Sequence, residues 1–366
     1  MNKIKINLPE KPYSFYLGEN IFDKLDKFIN KNYPAHSVFI VVDKTVYKLY
    51  KLRVDSFLKS IKNKSNKFIL TASEENKSFE SLKKIHSSLI KNNFGRDTLL
   101  AAIGGGIIGD LAGFAAATFM RGIPFAQVPT TLLAMVDSSV GGKTGINFSN
   151  TKNVIGAFYQ PGFIYADTAF LKTLPKKEFI CGVGEIVKYA FLTNKYFFNF
   201  LTRNFEKAIN GDTNVLNRLI RNSVAYKGSV VAEDEKESGL RKVLNLGHTF
   251  AHALEVEQDH KIKHGEAVIF GLACALYTSK EIGILTADRF KRYFNLIREF
   301  QDLITINSFD KRKIYNIMLR DKKNLQGKVK FVLLSGIGDI LLNVEVDKKV
   351  LYSSLEAGER YFQKSK

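Results

Sequence analysis

The sequence predicts two domains: an α/β domain over residues 1–174 and an α-helical domain over residues 175–366. Three observations carry this. In the first third, short apolar and β-branched runs alternate with segments of helical spacing, the pattern of a parallel sheet covered by helices. A glycine triplet, Gly104-Gly105-Gly106, follows one of those strands directly. Beyond about residue 175 the apolar period becomes that of helices, and clear strands are scarce until near the end.

Taken in order, Ser37-Val38-Phe39-Ile40-Val41-Val42 is a continuous apolar run ending at Asp43, as expected of a strand buried on both faces. Phe68-Ile69-Leu70 is a shorter second strand. From Phe79 to Asn92, Leu82, Ile85, Leu89 and Ile90 share one helical face. Thr98 to Ile103 is a third strand, and a later one leads to Val128-Pro129-Thr130-Thr131. Helical stretches follow at 176–194, 195–210, 212–233, 247–257, 264–283 and 286–300, and Lys330-Phe331-Val332-Leu333-Leu334 is a late strand. No internal repeat or low-complexity linker interrupts the chain. Junctions between such domains commonly hold ligands, so the active site is expected in the interdomain cleft.

Of 366 residues, 45% are apolar and 25% charged, which excludes a disordered or collagen-like chain. Only two cysteines, Cys181 and Cys274, are present, which excludes a disulfide framework and a cysteine-built zinc site. The N-terminal MNKIKINLPEKP lacks the apolar core of a signal peptide, and no run of about 18 apolar residues suggests a membrane span. A cytoplasmic protein with no membrane partner is expected. The net charge of +19 raises nucleic acid as a partner. However, residues 1–100 hold 19 basic against 10 acidic residues and residues 301–366 hold 13 against 8, whereas 201–300 hold 15 against 13. The excess is scattered lysine near the two ends, as in KSIKNKSNK (59–67), rather than a basic stripe with interleaved aromatics. No nucleic-acid partner is expected.

Gly104, Gly106 and Gly109 fit G-x-G-x-x-G between a strand and a helix. Glycine there lets the backbone approach a pyrophosphate, and the helix N-terminus favours its charge. No acidic residue follows about 20 positions later, where a dehydrogenase would hold the ribose; Asp43, at a strand end, lies upstream. Spacing alone leaves a tight turn packing a helix on a sheet equally open. The stretch Ser138-Ser139-Val140-Gly141-Gly142-Lys143-Thr144-Gly145 is also glycine-rich, but Asp137 stands where a P-loop needs glycine, so a P-loop hydrolase is excluded. Its lysine can still serve a phosphate.

Four of the six histidines are His248, His252, His260 and His264. His248 and His252 share a helix face, with Thr249 where a zinc protease requires glutamate. Upstream, Gly182-Val183-Gly184-Glu185-Ile186-Val187-Lys188 puts a carboxylate inside an apolar helix, where it needs a partner. Two imidazoles, a carboxylate and an open position make a catalytic zinc set. Histidines satisfied by polar contacts in a helical core are an equal alternative. Asp234-Glu235-Lys236-Glu237 reads as a solvated helix end, and Arg241 and Asn245 follow it as an anion binder and an amide.

Together these stretches resemble the 3-dehydroquinate synthases of the sugar-phosphate cyclase group. The resemblance is carried by GGGIIGDLAGFAAATFMRGI (104–123), QVPTTLLAMVDSSVGGKTGIN (127–147), KNVIGAFYQP (152–161), GVGEIVK (182–188), DEKESGLRKVLNLGHTFAHALE (234–255), HGEAV (264–268) and DKKN (321–324), in the family's order. It implies an α/β N-terminal Rossmann-like domain plus a C-terminal all-α domain. It also implies conversion of 3-deoxy-D-arabino-heptulosonate 7-phosphate to 3-dehydroquinate and phosphate, with NAD used catalytically and one divalent metal, zinc or cobalt. By resemblance, Glu185, His248 and His264 are metal ligands. Asp43, Glu74, Lys77, Gly105, Gly106, Asp110, Thr130, Thr131, Lys152 and Thr173 match cofactor-binding positions. His252, Lys143, Lys188, Lys227 and Asp137 match catalytic positions, and Arg121, Asn153, Arg241, Asn245 and Lys322 match substrate-binding ones. The family state is commonly a homodimer.

The sequence departs from the family pattern at Ser73, where glycine commonly precedes the Glu74-x-x-Lys77 stretch, and at Gly184, where alanine is common. All of these residues are small, so little effect is expected. Another cyclase, such as 2-deoxy-scyllo-inosose synthase, is the nearest rival; Arg241 suits a substrate carboxylate that the rival substrates lack. A metal-dependent alcohol dehydrogenase leaves the many phosphate-directed lysines unexplained.

Overall fold

The structure is a computed structural model that describes residues 1–149, 151–320 and 329–363. Lys322 and the rest of the DKKN stretch lie outside the described residues. The chain divides into two units, Met1–Leu174 with Lys227–Lys236, and Pro175–Tyr226 with Glu237–Lys366. The sequence treats 175–366 as one block, whereas Lys227–Lys236 packs with the first unit.

The strands of the first unit are β1 (Asn2–Ile6), β2 (Tyr13–Gly18), β3 (Ser37–Asp43), β4 (Ser65–Leu70), β5 (Thr98–Gly104), β6 (Phe125–Pro129), β7 (Lys143–Phe148), β8 (Thr151–Phe158) and β9 (Phe163–Asp167). Seven of them form one sheet in the order β1-β2-β9-β6-β5-β3-β4, with β7 and β8 a separate antiparallel hairpin. Only the β1–β2 pair in the large sheet is antiparallel. The apolar runs explain the centre: β5 is buried along its whole length and β3 beyond Ser37, as parallel strands covered on both faces require.

The helices of this unit are α1 (Leu25–Asn32), α2 (Lys44–Lys59), α3 (Phe79–Lys91) and α4 (Gly106–Thr118). Helix α4 packs against β5, β6 and β7, which is why it is apolar nearly all round. From β3 the chain steps to β4, and from β5 it steps the other way to β6, so the strand order reverses between the neighbours β3 and β5. In open α/β sheets, ligands bind at the carboxyl ends of strands beside such a reversal. Asp43, Gly104 and Pro129 end the three strands concerned.

The second unit contains α5 (Lys176–Leu192), α6 (Lys195–Arg203), α7 (Phe205–Ile209), most of α8 (Thr213–Glu233), α9 (His248–Glu257), α10 (His264–Glu281), α11 (Ala287–Arg298), α12 (Lys311–Arg320), a hairpin of β10 (Lys330–Gly336) and β11 (Asp339–Glu345), and α13 (Lys348–Phe362). The expected helix over 195–210 divides at Asn204. Its amide donates back to the Phe200 carbonyl at 2.9 Å and its backbone leaves the helical region, the usual competition between an asparagine side chain and the helix ladder.

Helix α10 is central, packing on α5, α9, α11, α13 and β10. Its contact with α5 is backbone to backbone: a Cβ on Gly184 would stand 2.5 Å from the Gly265 carbonyl oxygen. The Gly265 N–H donates to Cys181 Sγ at 3.1 Å. The expectation that Gly184 is a neutral departure therefore changes, because an alanine there has no room unless a backbone moves.

Candidate active site

Glu185 lies mid-helix in α5, fully buried. Its Oε1 is 3.2 Å from His264 Nε2, at the first residue of α10, and 3.5 Å from His248 Nε2, at the first residue of α9. Gly247 reaches a φ of +76° just before His248, which turns the chain from the 3-10 segment Leu240–Asn245 into α9. The three ligand atoms all lie within 4.8 Å of one another. With zinc bonds of roughly 2.0–2.2 Å, a tetrahedral ion holds its ligand atoms about 3.3–3.6 Å apart, so this spacing and donor set fit a divalent cation with an open position.

Further contacts orient these three side chains. His248 Nδ1 lies 3.2 Å from the Leu246 carbonyl, which can only accept, so the proton sits on Nδ1 and Nε2 faces Glu185. His264 Nδ1 lies 3.3 Å from Glu255 Oε1. Lys188, one turn after Glu185 and 2% exposed, pairs with Glu185 Oε2 at 2.5 Å. Burial, aided by Lys188 and the neighbouring imidazoles, holds the His248 pKa well below its ordinary value. Burial also opposes charge on His264, but hydrogen bonds to Glu185 and Glu255 outweigh it and push its pKa up to about 10.

His252 stacks beside the trio, its ring 6.1 Å from that of His264 and 5.2 Å from that of His248. His260 is exposed, with a φ of +57°. Arg241 is buried, and the Asn245 amide donates to Glu237 at 3.3 Å. The segment read as a solvated helix end is not one: Asp234 is buried and Glu235 accepts from Gln160 at 2.8 Å. Glu255 was not singled out from sequence; its signal was the 248, 252, 255 spacing on one face of α9.

In the first unit the glycine loop joins β5 to α4 without a side-chain cap on the helix. A Cβ on Gly106 would meet Ser138 Oγ at 2.9 Å, and one on Gly109 would meet Gln127 at 2.7 Å, so the helix is seated closely on β6. The Thr130 N–H donates to the Gly104 carbonyl at 3.0 Å, and a Cβ on Gly105 would touch Thr131 at 3.1 Å. Asp43 caps α2 through the Thr45 and Val46 N–H groups and also accepts from the Ala72 N–H at 3.1 Å. Thr173 pairs with the Tyr50 hydroxyl at 2.7 Å.

Lys77 is buried and donates to Asp110 at 2.6 Å and to Asn153. Lys152 pairs with Glu74 at 3.3 Å, and Asn147 donates to the other Glu74 oxygen at 2.8 Å. The sequence assigned Asn153 to substrate and Lys77 and Asp110 to cofactor; the fold brings all three into one network. Burial pushes the Asp110 carboxyl up, against the pull of Lys77. Burial acts the same way on Glu74, but Asn147, Lys152 and Lys77 prevail and hold it below its ordinary value. Lys227 donates to both the carbonyl (2.9 Å) and the carboxylate (2.8 Å) of Asp137, within the π-helical turn Ala134–Ser138. Lys143 is exposed at the start of β7. Arg121 is exposed in a run of three positive φ angles, Met120, Arg121 and Gly122.

The domain family described as 3-dehydroquinate synthase N-terminal matches residues 67–181, and the one described as 3-dehydroquinate synthase C-terminal matches residues 182–324. A 3-dehydroquinate synthase from Pelagibacter ubique (strain HTCC1062) is 41% identical over 359 residues, spanning 95% of this chain and 96% of that protein. The chain belongs to the 3-dehydroquinate synthase family. A second relative of that name, from Dictyoglomus thermophilum, is 37% identical over 99% of both chains. Among solved structures, 2-deoxy-scyllo-inosose synthase complexed with carbaglucose-6-phosphate, NAD+ and Co2+ is 25% identical, with a TM-score of 0.85 over 98% of this chain and 100% of that one. The N-terminal match of the 3-dehydroquinate synthase family contains the glycine loop and the Lys77 network; the C-terminal match contains Glu185, His248 and His264.

Proposed function

We infer that the chain is a 3-dehydroquinate synthase, a lyase that converts 3-deoxy-D-arabino-heptulosonate 7-phosphate to 3-dehydroquinate and phosphate, the second step of the shikimate pathway. The observation that carries this is the Glu185–His248–His264 cluster, 3.2–3.5 Å across its contacts, inside a chain matched by the family almost end to end. The residues fit one divalent cation, zinc or cobalt, and the loop at the β3/β5 reversal fits NAD.

Bound at the trio, the cation would supply Lewis acidity toward the substrate hydroxyls. NAD would supply a hydride acceptor that is restored within each turnover, so that oxidation acidifies the C–H whose loss expels phosphate. The chain's own residues do the rest. Gly105, Gly106, Thr130 and Thr131 admit the cofactor at the carboxyl ends of β5 and β6, with Asp43, Glu74, Lys77, Asp110, Lys152 and Thr173 holding its remainder. Arg241 holds the substrate carboxylate and Asn245 its hydroxyls. Arg121, Lys143, Asn153 and Lys322 serve the phosphate end. Lys188 and Lys227 stabilise developing negative charge, Lys227 being oriented by Asp137. His252, an imidazole beside the trio, carries protons. Ring opening and an internal aldol closure complete the reaction.

We place this activity in a cytoplasmic homodimer with no nucleic-acid or membrane partner; no helix among the described residues is long and apolar enough to cross a membrane. The metal-loaded protein should form 3-dehydroquinate from the heptulosonate phosphate and leave a hexose 6-phosphate, which lacks the carboxylate, unchanged. Turnover of the hexose phosphate alone would favour the reading as 2-deoxy-scyllo-inosose synthase.

A further inference from the structure

We propose that Glu255 is a positioning residue for His264, acting on metal affinity through that ligand's second nitrogen. The inference rests on reading Glu185, His248 and His264 as the metal site. Glu255 lies seven residues after His248 and three after His252, on one face of α9. Its carboxylate is 3.3 Å from His264 Nδ1, and its side chain is 14% exposed. The carboxylate accepts a hydrogen bond from Nδ1–H, which leaves the Nε2 lone pair on the side of Glu185. The contact also fixes the ring rotation and places negative charge behind the ligand, strengthening it as a donor.

The two histidines are supported differently. His248 is held by the main-chain carbonyl of Leu246, which no side-chain substitution removes. His264 is the more exposed ring, 30% against 11%, and depends on the Glu255 side chain. His252, Glu255 and His264 also lie close enough together to hold an ion of their own. A nitrogen that donates to Glu255 cannot ligate such an ion, so the positioning role and a second ion exclude each other. One ion per chain follows.

The test strips the full-length protein of metal and titrates it with zinc, and with cobalt, whose visible spectrum reports its coordination. Glu255→Ala should bind zinc roughly 10–100-fold more weakly, with an altered cobalt spectrum, while circular dichroism of the metal-free protein stays unchanged. Glu255→Gln keeps an accepting oxygen and should recover a large part of the affinity. If Glu255→Ala does not fold, Glu255→Gln carries the test and must still bind zinc more weakly than wild type by more than twofold. Zinc affinity within twofold of wild type with an unchanged cobalt spectrum, or two ions per wild-type chain, overturns the proposal. If wild type binds no ion, or His264→Ala binds as tightly as wild type, the metal-site reading itself fails, and the inference with it.

Discussion

Glu185 and His264 stand 79 positions apart in the chain, yet their Oε1 and Nε2 atoms lie 3.2 Å apart, because α5 and α10 touch backbone to backbone at Gly184 and Gly265. The spacing of the cluster is therefore set by the absence of two side chains as much as by the presence of three.

That contact predicts the outcome of Gly184→Ala. Helix propensity alone favours the change by up to about 1 kcal/mol, but forcing a methyl against the Gly265 carbonyl costs roughly 1–3 kcal/mol. The variant should melt at a lower temperature and bind zinc more weakly. A stabilised variant with wild-type zinc affinity would show that the helices separate at no cost.

Lys188 and Glu185 form a buried ion pair, 2% and 0% exposed. Removing one partner of such a pair typically costs about 3–5 kcal/mol, because the other charge stays buried. Lys188→Met should lose stability of this order in the metal-free protein. Saturating zinc should restore part of it, since a cation on the same carboxylate replaces the ammonium. Equal losses with and without zinc in denaturant titrations would contradict a shared role for Glu185.

Much of this was legible in the sequence, for identifiable reasons. The strand of Ser37–Val42 and the glycine loop announce themselves because burial on both faces and a tight turn each permit few residue types. The β7–β8 hairpin did not, since the stretch leading into it read as a glycine-rich loop whose lysine could serve a phosphate; the hairpin packs on α4, far away in sequence. Lys77, Asp110 and Asn153 come together through folding at a sequence distance that no local pattern records. Gly184 looked interchangeable with alanine because the helix that crowds it begins 80 residues later.

The role proposed for Arg241 is to hold the substrate carboxylate, which the substrates of the rival cyclases lack. It is buried, so a replacement cannot recruit water freely. Arg241→Gln should lower kcat/KM for the heptulosonate phosphate by about 1.5–3 kcal/mol, roughly 10–150-fold, through lost charge-assisted hydrogen bonds. Unchanged kcat/KM would remove the carboxylate assignment.

Burial raises the Cys181 thiol from its ordinary 9.0 to about 12, against a lowering hydrogen bond from Gly265. The folded state therefore holds its proton more tightly than the unfolded one. This contribution to stability is complete below pH 9 and is lost as pH rises from about 9 toward 12. At pH 8 the native protein should resist alkylation at Cys181 and Cys274, both buried, and both should label on unfolding. Rapid native labelling at pH 8 would mean that α5 and α10 open far more readily than their packing implies.

In the proposed reaction NAD is a catalyst and not a consumed substrate. The direct measurement follows phosphate release and absorbance at 340 nm together, using the zinc- or cobalt-loaded protein, the heptulosonate phosphate and far less NAD than substrate. Many phosphates should be released per NAD, with stoichiometric 3-dehydroquinate and no net NADH. Phosphate release limited to one per NAD with NADH accumulating, or no release from the fully metallated protein, would contradict it.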